Sequence, residues 1–230
     1  VTDAHIELER AYAQVGGNGQ INMALCCDFL SWRLSLHTDV ERRYTFSERY
    51  AALLCYHDAS WINIWSATSA YYHALRGETD KIPEIFSQHR LSDIHLLAPG
   101  KPMMEMIENQ VYLADGAYAK VAGRSAELLA VCEAMHYALV ALHIRIQTAA
   151  AYEKLGKSEE AHTWLGRALS DAAPDGLVMP FIENYERLKP LLTQEIKTEL
   201  IAKITELGEA AGARNAASAR PPAFNALTER

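Results

Sequence analysis

Proline and glycine are scarce in this chain, with 8 and 12 occurrences among 230 residues. They stand between stretches of apolar periodicity, and Val, Ile and Thr form no alternating runs, so we expect helices and no strand. No apolar run approaches the roughly 20 residues that a membrane-spanning helix needs. The N-terminal segment is polar and acidic, unlike a signal peptide. These absences predict an all-α protein with no membrane association.

Cysteine is also scarce, and its four positions are Cys26, Cys27, Cys55 and Cys132. They form no C-x-x-C pair and no regular framework, so they indicate buried thiols that pack in a core. Thiols of this kind are typical of a reducing compartment. We therefore expect a cytoplasmic protein.

Basic residues are too few for a nucleic-acid surface. Lys and Arg number 22 against 29 Asp and Glu, which gives a formal net charge of −7. Binding to phosphates needs a basic stripe, and none is visible. Hydrophobic residues make up 50% of the chain, which predicts a folded domain. Because the basic stripe is missing, we expect that this domain does not itself bind DNA.

The segment 149–174, AAAYEKLGKSEEAHTWLGRALSDAAP, carries the clearest repeat signal. Gly156 falls at the turn, where we expect positive φ to end the first helix. Ser158 is a candidate N-cap of the second helix, and Glu159 and Glu160 lie in its first turn, where the helix dipole favours acidic side chains. Seven positions have the spacing of a tetratricopeptide-type helix–turn–helix repeat: Ala149, Tyr152, Gly156, Ala161, Leu165, Ala168 and Pro174.

The remaining apolar periodicity predicts further helices along the chain. The segment 139–155 is apolar on most of its circumference, as expected for a helix sandwiched between neighbours. We expect an all-α, tetratricopeptide-like right-handed superhelix of antiparallel helix pairs at 1–207, ending in a C-terminal helical cap. Residues 208–226, rich in Ala, Gly, Ser, Arg and Pro, predict a flexible linker. The predicted helices are two within 4–37, broken at 16–19, then 46–56, 60–76, 82–89, 103–120, 125–135, 139–155, 158–172, 181–185, 188–192 and 193–207.

Three segments together resemble a known family. Residues 149–184, with Ala173-Pro174-Asp175-Gly176 and then Pro180-Phe181, resemble the end of the repeat domain in MalT-like transcriptional activators of the LuxR class. Residues 109–131 are similar to an earlier repeat of that domain. The last four residues, 227–230, resemble the opening of the LuxR-type helix-turn-helix domain.

This resemblance implies an effector-sensing domain of a bacterial regulator. It implies that the DNA-binding part follows residue 230, which accounts for the acidic charge. It also fits a chain that starts at Val1 without Met, since members of the family usually carry a nucleotide-binding domain upstream. No G-x-x-x-x-G-K-[ST] loop occurs, so we expect no cofactor in this segment. The implied partner is a small inducer, for example a sugar, with DNA bound only through the absent domain.

Aromatic residues offer two interpretations. Trp61, Trp65 and Tyr72 lie on one helical stripe, which packing alone would explain. Alternatively, some of them line a groove and stack on a ligand, because aromatic faces suit sugar rings. The predicted ligand-binding residues are Trp61, Trp65, Tyr72, Tyr112 and His143.

No motif predicts catalysis or metal binding. His136 and His143 are seven residues apart without a completing ligand, and neither H-E-x-x-H nor G-x-S-x-G occurs. Glu183 and Glu186 are three apart on a predicted helix, which indicates a solvated face. We expect a sensor and no enzyme. The alternative is a protein-interaction scaffold that self-associates as a homo-oligomer or binds a peptide without a small ligand.

Overall fold

The structure is a computed structural model that describes residues 2–15, 21–37, 59–94 and 98–218. Within these ranges it is all-helical, as predicted, with eleven α-helices and no strand. The side chain of Trp61 and the predicted helix at 46–56 lie outside the described part. The helices are α1 (Thr2–Val15), α2 (Ile21–Ser35), α3 (Ala59–Arg76), α4 (Glu84–Ser87), α5 (Lys101–Ala114), α6 (Tyr118–Ala134), α7 (Ala138–Lys154), α8 (Ser158–Ala172), α9 (Met179–Glu183), α10 (Tyr185–Leu192) and α11 (Glu199–Ser218).

Helix α7 lies at the centre of the packing. It contacts α6 and α8 most extensively, and it also contacts α5, α9 and α10. Its buried positions run almost without interruption from Val140 to Ala151, so every face of the helix is covered. This confirms the prediction of a sandwiched helix.

Four left-handed turns separate the helices between α5 and α9. The residues with positive φ are Gly116, His136, Gly156 and Gly176, at intervals of 20 residues. At each turn the following residue donates its N–H back into the helix that has just ended, as Lys157 does to the Tyr152 oxygen at 3.0 Å. The expected positive φ of Gly156 is confirmed at 72°. One helix pair therefore occupies 40 residues, longer than the tetratricopeptide unit of about 34.

Several predicted boundaries differ from the structure. Helix α8 begins at Ser158 itself, so Ser158 is not the N-cap; Lys157 holds that place without a side-chain cap. Gly116 ends α5 early, so the predicted helix 103–120 is divided between α5 and α6. Only Glu84–Ser87 of the predicted 82–89 forms an α-helix, because Pro83 sets its start.

The C-terminal part also differs from its prediction. Residues 193–198 are not helical, whereas the last helix, Glu199–Ser218, runs through the first half of the predicted linker 208–226. The reason is that α11 docks on α9 and α10, with Ile201 and Ile204 in the core. Residues beyond 218, including 227–230, lie outside the described ranges.

Two apolar cores meet at α7. One surrounds Phe181, Leu188 and Ile204 and joins α9, α10 and α11, the C-terminal cap, to α7 and α8. The other surrounds Phe86 and joins α3 and α4 to α5, α6 and α7. In the part of the chain that the structure describes, no helix is both long and apolar enough to cross a bilayer.

Candidate functional site

Three helices, α2, α3 and α7, contribute side chains around Glu183, the last residue of α9. Its side chain is only 1% exposed. Arg33, near the end of α2, donates from Nη2 to Oε1 at 3.1 Å and to Oε2 at 3.3 Å, and from Nε to Oε1 at 3.2 Å. A buried carboxylate needs such a partner, because an unpaired charge in the interior is strongly unfavourable. The expectation that Glu183 lies on a solvated face is therefore wrong.

Three further side chains complete this buried polar cluster. Tyr71 of α3 donates its hydroxyl to Glu183 Oε2 at 2.6 Å, and His37 Nε2 lies 3.5 Å from Oε1. His143 of α7 has its Nε2 3.4 Å from Arg33 Nη2 and its Nδ1 3.4 Å from the Tyr71 hydroxyl. Since guanidinium can only donate, the geometry assigns the proton of neutral His143 to Nδ1.

The environment fixes the charges in this cluster. Burial lowers the pKa of His143 to about 4, because desolvation outweighs the attraction of Glu183. Burial alone would raise the pKa of Glu183, but the hydrogen bond from His37, the charge of Arg33 and the hydrogen bond from Tyr71 bring it to about 2. At neutral pH His143 is therefore uncharged, and Glu183 is ionised beside the Arg33 cation.

The next residue, Asn184, belongs to a second buried network. Gln110 of α5 donates its amide to Asn184 Oδ1 at 3.0 Å. Gln147 of α7 donates to Gln110 Oε1 and to the Met106 carbonyl, each at 3.0 Å. The end of α9 is thus held by two adjacent side chains, one joined to α2 and α3 and the other to α5.

An apolar cavity of about 310 Å³ lies between α2, α3 and α5 and borders both networks. Arg33 and Tyr71 line it and bind Glu183; Met106 lines it and accepts from Gln147. Cavities of this size and polarity are typical of small-molecule sites. The described lining is Phe29, Leu30, Arg33, Leu36, Ile64, Ala67, Thr68, Tyr71, Tyr72, Gly100, Met103, Met104, Met106 and Ile107.

The predicted ligand residues are distributed over several places. Tyr72 lines the apolar cavity, whereas Trp65 is half-buried on the same helix and does not contribute to the described lining. His143 belongs to the polar cluster. Tyr112 lies on another face of α5, stacked on His89 with ring centroids 3.9 Å apart, and lines a separate cavity of about 540 Å³. Among the predicted ligand-binding residues whose side chains are described, only Tyr72 lines the apolar cavity, and His143 lies at its border.

Sequence reasoning missed Arg33, Tyr71 and Glu183. Arg33 and Glu183 are 150 residues apart, and no local pattern connects them. One partial signal is visible in the sequence: Glu183 directly follows the apolar residues 180–182, which place it beside the core in a short helix.

Cys27 and Cys132 are buried as expected and Cys26 is half-buried, while Cys55 lies outside the described ranges. Within those ranges, no three His, Cys, Asp or Glu side chains are grouped so as to hold a metal ion. Comparison with models of known families, with curated proteins and with solved structures finds no match to this chain.

Proposed function

We propose that this chain is the effector-sensing domain of a MalT-like, LuxR-class transcriptional regulator, and that the apolar cavity between α2, α3 and α5 holds the effector. The observation that carries the proposal is the direct contact between the cavity and the end of α9 through Arg33 and Tyr71. In this proposal the helix pairs form a tetratricopeptide-like right-handed superhelix, and a cytoplasmic DNA-binding domain follows the cap.

The lining favours an apolar effector over a sugar. Sugar hydroxyls need hydrogen-bonding partners, since unpaired polar groups are costly to bury. The lining offers few such partners: Arg33, Thr68 and the two tyrosines. The Thr68 hydroxyl is already bonded to the Ile64 carbonyl at 2.9 Å.

The proposed signal is a shift between two arrangements of the cap. An effector that binds one arrangement better than the other increases its population. Arg33, Tyr71 and Met106 reach both the cavity and the networks that hold Glu183 and Asn184. Helix α9 packs on α11, the last described helix, so a change at the cavity would pass toward the C-terminus.

A thermal-shift screen with apolar acids, alcohols, aromatics and sugars tests this proposal. A ligand at a hundred times its Kd should raise the unfolding midpoint by about 5–10 °C. Thr68→Trp, which fills the cavity, should abolish the shift. Thr163→Trp is the matched control, because Thr163 makes the same bond to the carbonyl four residues before it but is exposed on α8.

Two outcomes would contradict the proposal. One is a ligand shift that persists in Thr68→Trp. The other is a screen without any shift together with concentration-dependent dimers in sedimentation, which would favour the protein-interaction scaffold. In the full regulator, transcription that is equally active with this domain deleted and with inducer present would contradict a sensing role.

A further inference from the structure

We propose that the effector is an apolar monocarboxylic acid whose carboxylate binds Arg33 in competition with Glu183. This inference rests on the proposed function and names the chemistry of its ligand. Arg33 is the one charged side chain among the described residues that line the cavity. The rest of the lining is predominantly aliphatic, aromatic and thioether, which fits a hydrocarbon chain or ring.

Arg33 is the accessible member of the polar cluster. Its side chain is 40% exposed, whereas that of Glu183 is 1% exposed. Its Nε and Nη2 face Glu183, and Nη1 is not among the atoms that bond to that carboxylate. The guanidinium therefore has one edge on Glu183 and further donors available to a ligand, as its five N–H groups permit.

The charge of Arg33 selects among ligand classes. A cationic ligand would be repelled by it. A neutral apolar ligand would remove water from the exposed part of the guanidinium without replacing it, which costs free energy. A carboxylate replaces that water with charge-assisted hydrogen bonds, which are roughly twice as strong as neutral ones.

A second feature at the cavity favours negative charge. Gly100 lines the cavity and is the N-cap of α5, with no side-chain cap. The dipole of α5 favours an anion at that end, although Pro102 in the first turn contributes no N–H. The Arg33 guanidinium and the N-terminal end of α5 therefore both favour a ligand with a carboxylate.

Competition for Arg33 gives the inference a sharp test. Isothermal titration calorimetry on this 230-residue chain compares octanoate with 1-octanol, which has the same chain length and no charge. In the wild-type protein octanoate should bind at least about tenfold more tightly, as expected for a hydrogen bond between charged groups. Equal affinity for the two, or binding of neither, would overturn the inference.

Two variants of the Arg33–Glu183 pair should change the affinity for octanoate in opposite directions. Glu183→Gln removes the competing charge and should tighten octanoate binding about tenfold, with 1-octanol unchanged. Glu186→Gln, an exposed carboxylate on α10, is the matched control and should bind both like the wild type. An unchanged or weakened octanoate affinity in folded Glu183→Gln would contradict the competition.

The double variant Arg33→Gln with Glu183→Gln keeps two amides that can bond to each other and leaves no buried charge. It should lower octanoate affinity to that of 1-octanol, and it decides the question if Glu183→Gln alone does not fold. Preserved selectivity for octanoate in the double variant would overturn the inference.

The inference and the proposed function can fail separately. If neither acid nor alcohol binds, but another compound stabilises the wild type and not Thr68→Trp, the ligand class is wrong and the sensing function stands. If octanoate follows the expected order but leaves DNA binding of the full regulator unchanged, the ligand class stands and the sensing function fails.

Discussion

At the scale of single residues, Glu183 shows what a buried charge contributes. An ion pair in the interior often adds little net stability, because desolvation offsets attraction, yet removal of one partner is strongly unfavourable. Glu183 receives Arg33 and Tyr71 through defined donors. The Arg33–Glu183 ion pair and the Tyr71 hydrogen bond therefore contribute more to specifying one arrangement of α2, α3 and α9 than to the free energy of unfolding.

The cluster makes stability dependent on pH. Unfolding returns the pKa of His143 from about 4 to 6.5, so the unfolded state binds a proton that the folded state refuses, and stability falls as pH drops from 6.5 to 4. Glu183 acts in the same direction between 4.5 and about 2. Urea titrations should show a loss of about 3 kcal/mol over the upper window. His143→Gln should flatten the pH dependence there; an unchanged slope would mean that His143 is not buried in its neutral form.

Two glycines, Gly156 in the turn between α7 and α8 and Gly166 inside α8, should respond in opposite ways to replacement by alanine. Gly156 has φ of 72°, so Gly156→Ala forces a side chain into the left-handed region and should destabilise by about 1–2 kcal/mol, although nothing lies within 4 Å of the new Cβ. Gly166, inside α8, is also in open space but without positive φ. Gly166→Ala should stabilise by about 1 kcal/mol. Thermal unfolding measures the change in stability of both variants. A change of the same sign in the two would contradict a left-handed turn at Gly156.

His136 occupies the same kind of turn without being glycine. Its φ is 56°, and it is exposed at the junction of α6 and α7. His136→Gly should therefore stabilise the protein by about 1 kcal/mol, because glycine takes this conformation without the Cβ penalty. His162→Gly, inside α8, is the control and should destabilise in the same denaturant titration.

At the scale of the helical element, α11 shows how composition can mislead. Its Ala- and Gly-rich second half is typical of a linker, but Gly208 is buried where α11 crosses α10. A Cβ there would lie 2.3 Å from Tyr185 Cγ. Close approach of the two helices, and not flexibility, is what requires glycine at this position.

Gly208→Ala tests that approach. Helix propensity alone would favour alanine, but the clash with a buried ring should reverse the sign and destabilise by about 1–3 kcal/mol. Gly123→Ala in α6 is the matched control, with nothing within 4 Å, and should stabilise. If both variants stabilise in urea unfolding, α11 does not pack on Tyr185 in solution.

The elements that could be predicted from the sequence are those with local signals. Gly156 marked a helix end, and the periodicity on either side of it predicted α7 and α8 nearly to the residue. The end of α6 was predicted within one residue although His136 takes the place of glycine in its turn, whereas Gly116 was not recognised as the end of α5. The site could not be predicted, because burial of Glu183 depends on Arg33, which is distant in sequence and contributes no periodic pattern.

At the scale of the whole molecule, contacts between helices extend through the described part of the chain. Most helices pack on their sequence neighbours, from α5 to α8 in order. The Arg33–Glu183 pair is different, since it connects α2 directly to the cap. The cavity lies beside this long-range connection.

That connection limits the number of helices that can lie between α2 and the cap. In repeat proteins each unit contacts only its neighbours, so an added unit need not disturb contacts elsewhere. Here an extra pair of helices after α8 would carry Glu183 away from Arg33 and leave both charges without a partner. The Arg33–Glu183 pair therefore fixes the number of helices between its two partners. Relatives of this chain with more or fewer helices between α2 and α9 should have lost the arginine and the glutamate together.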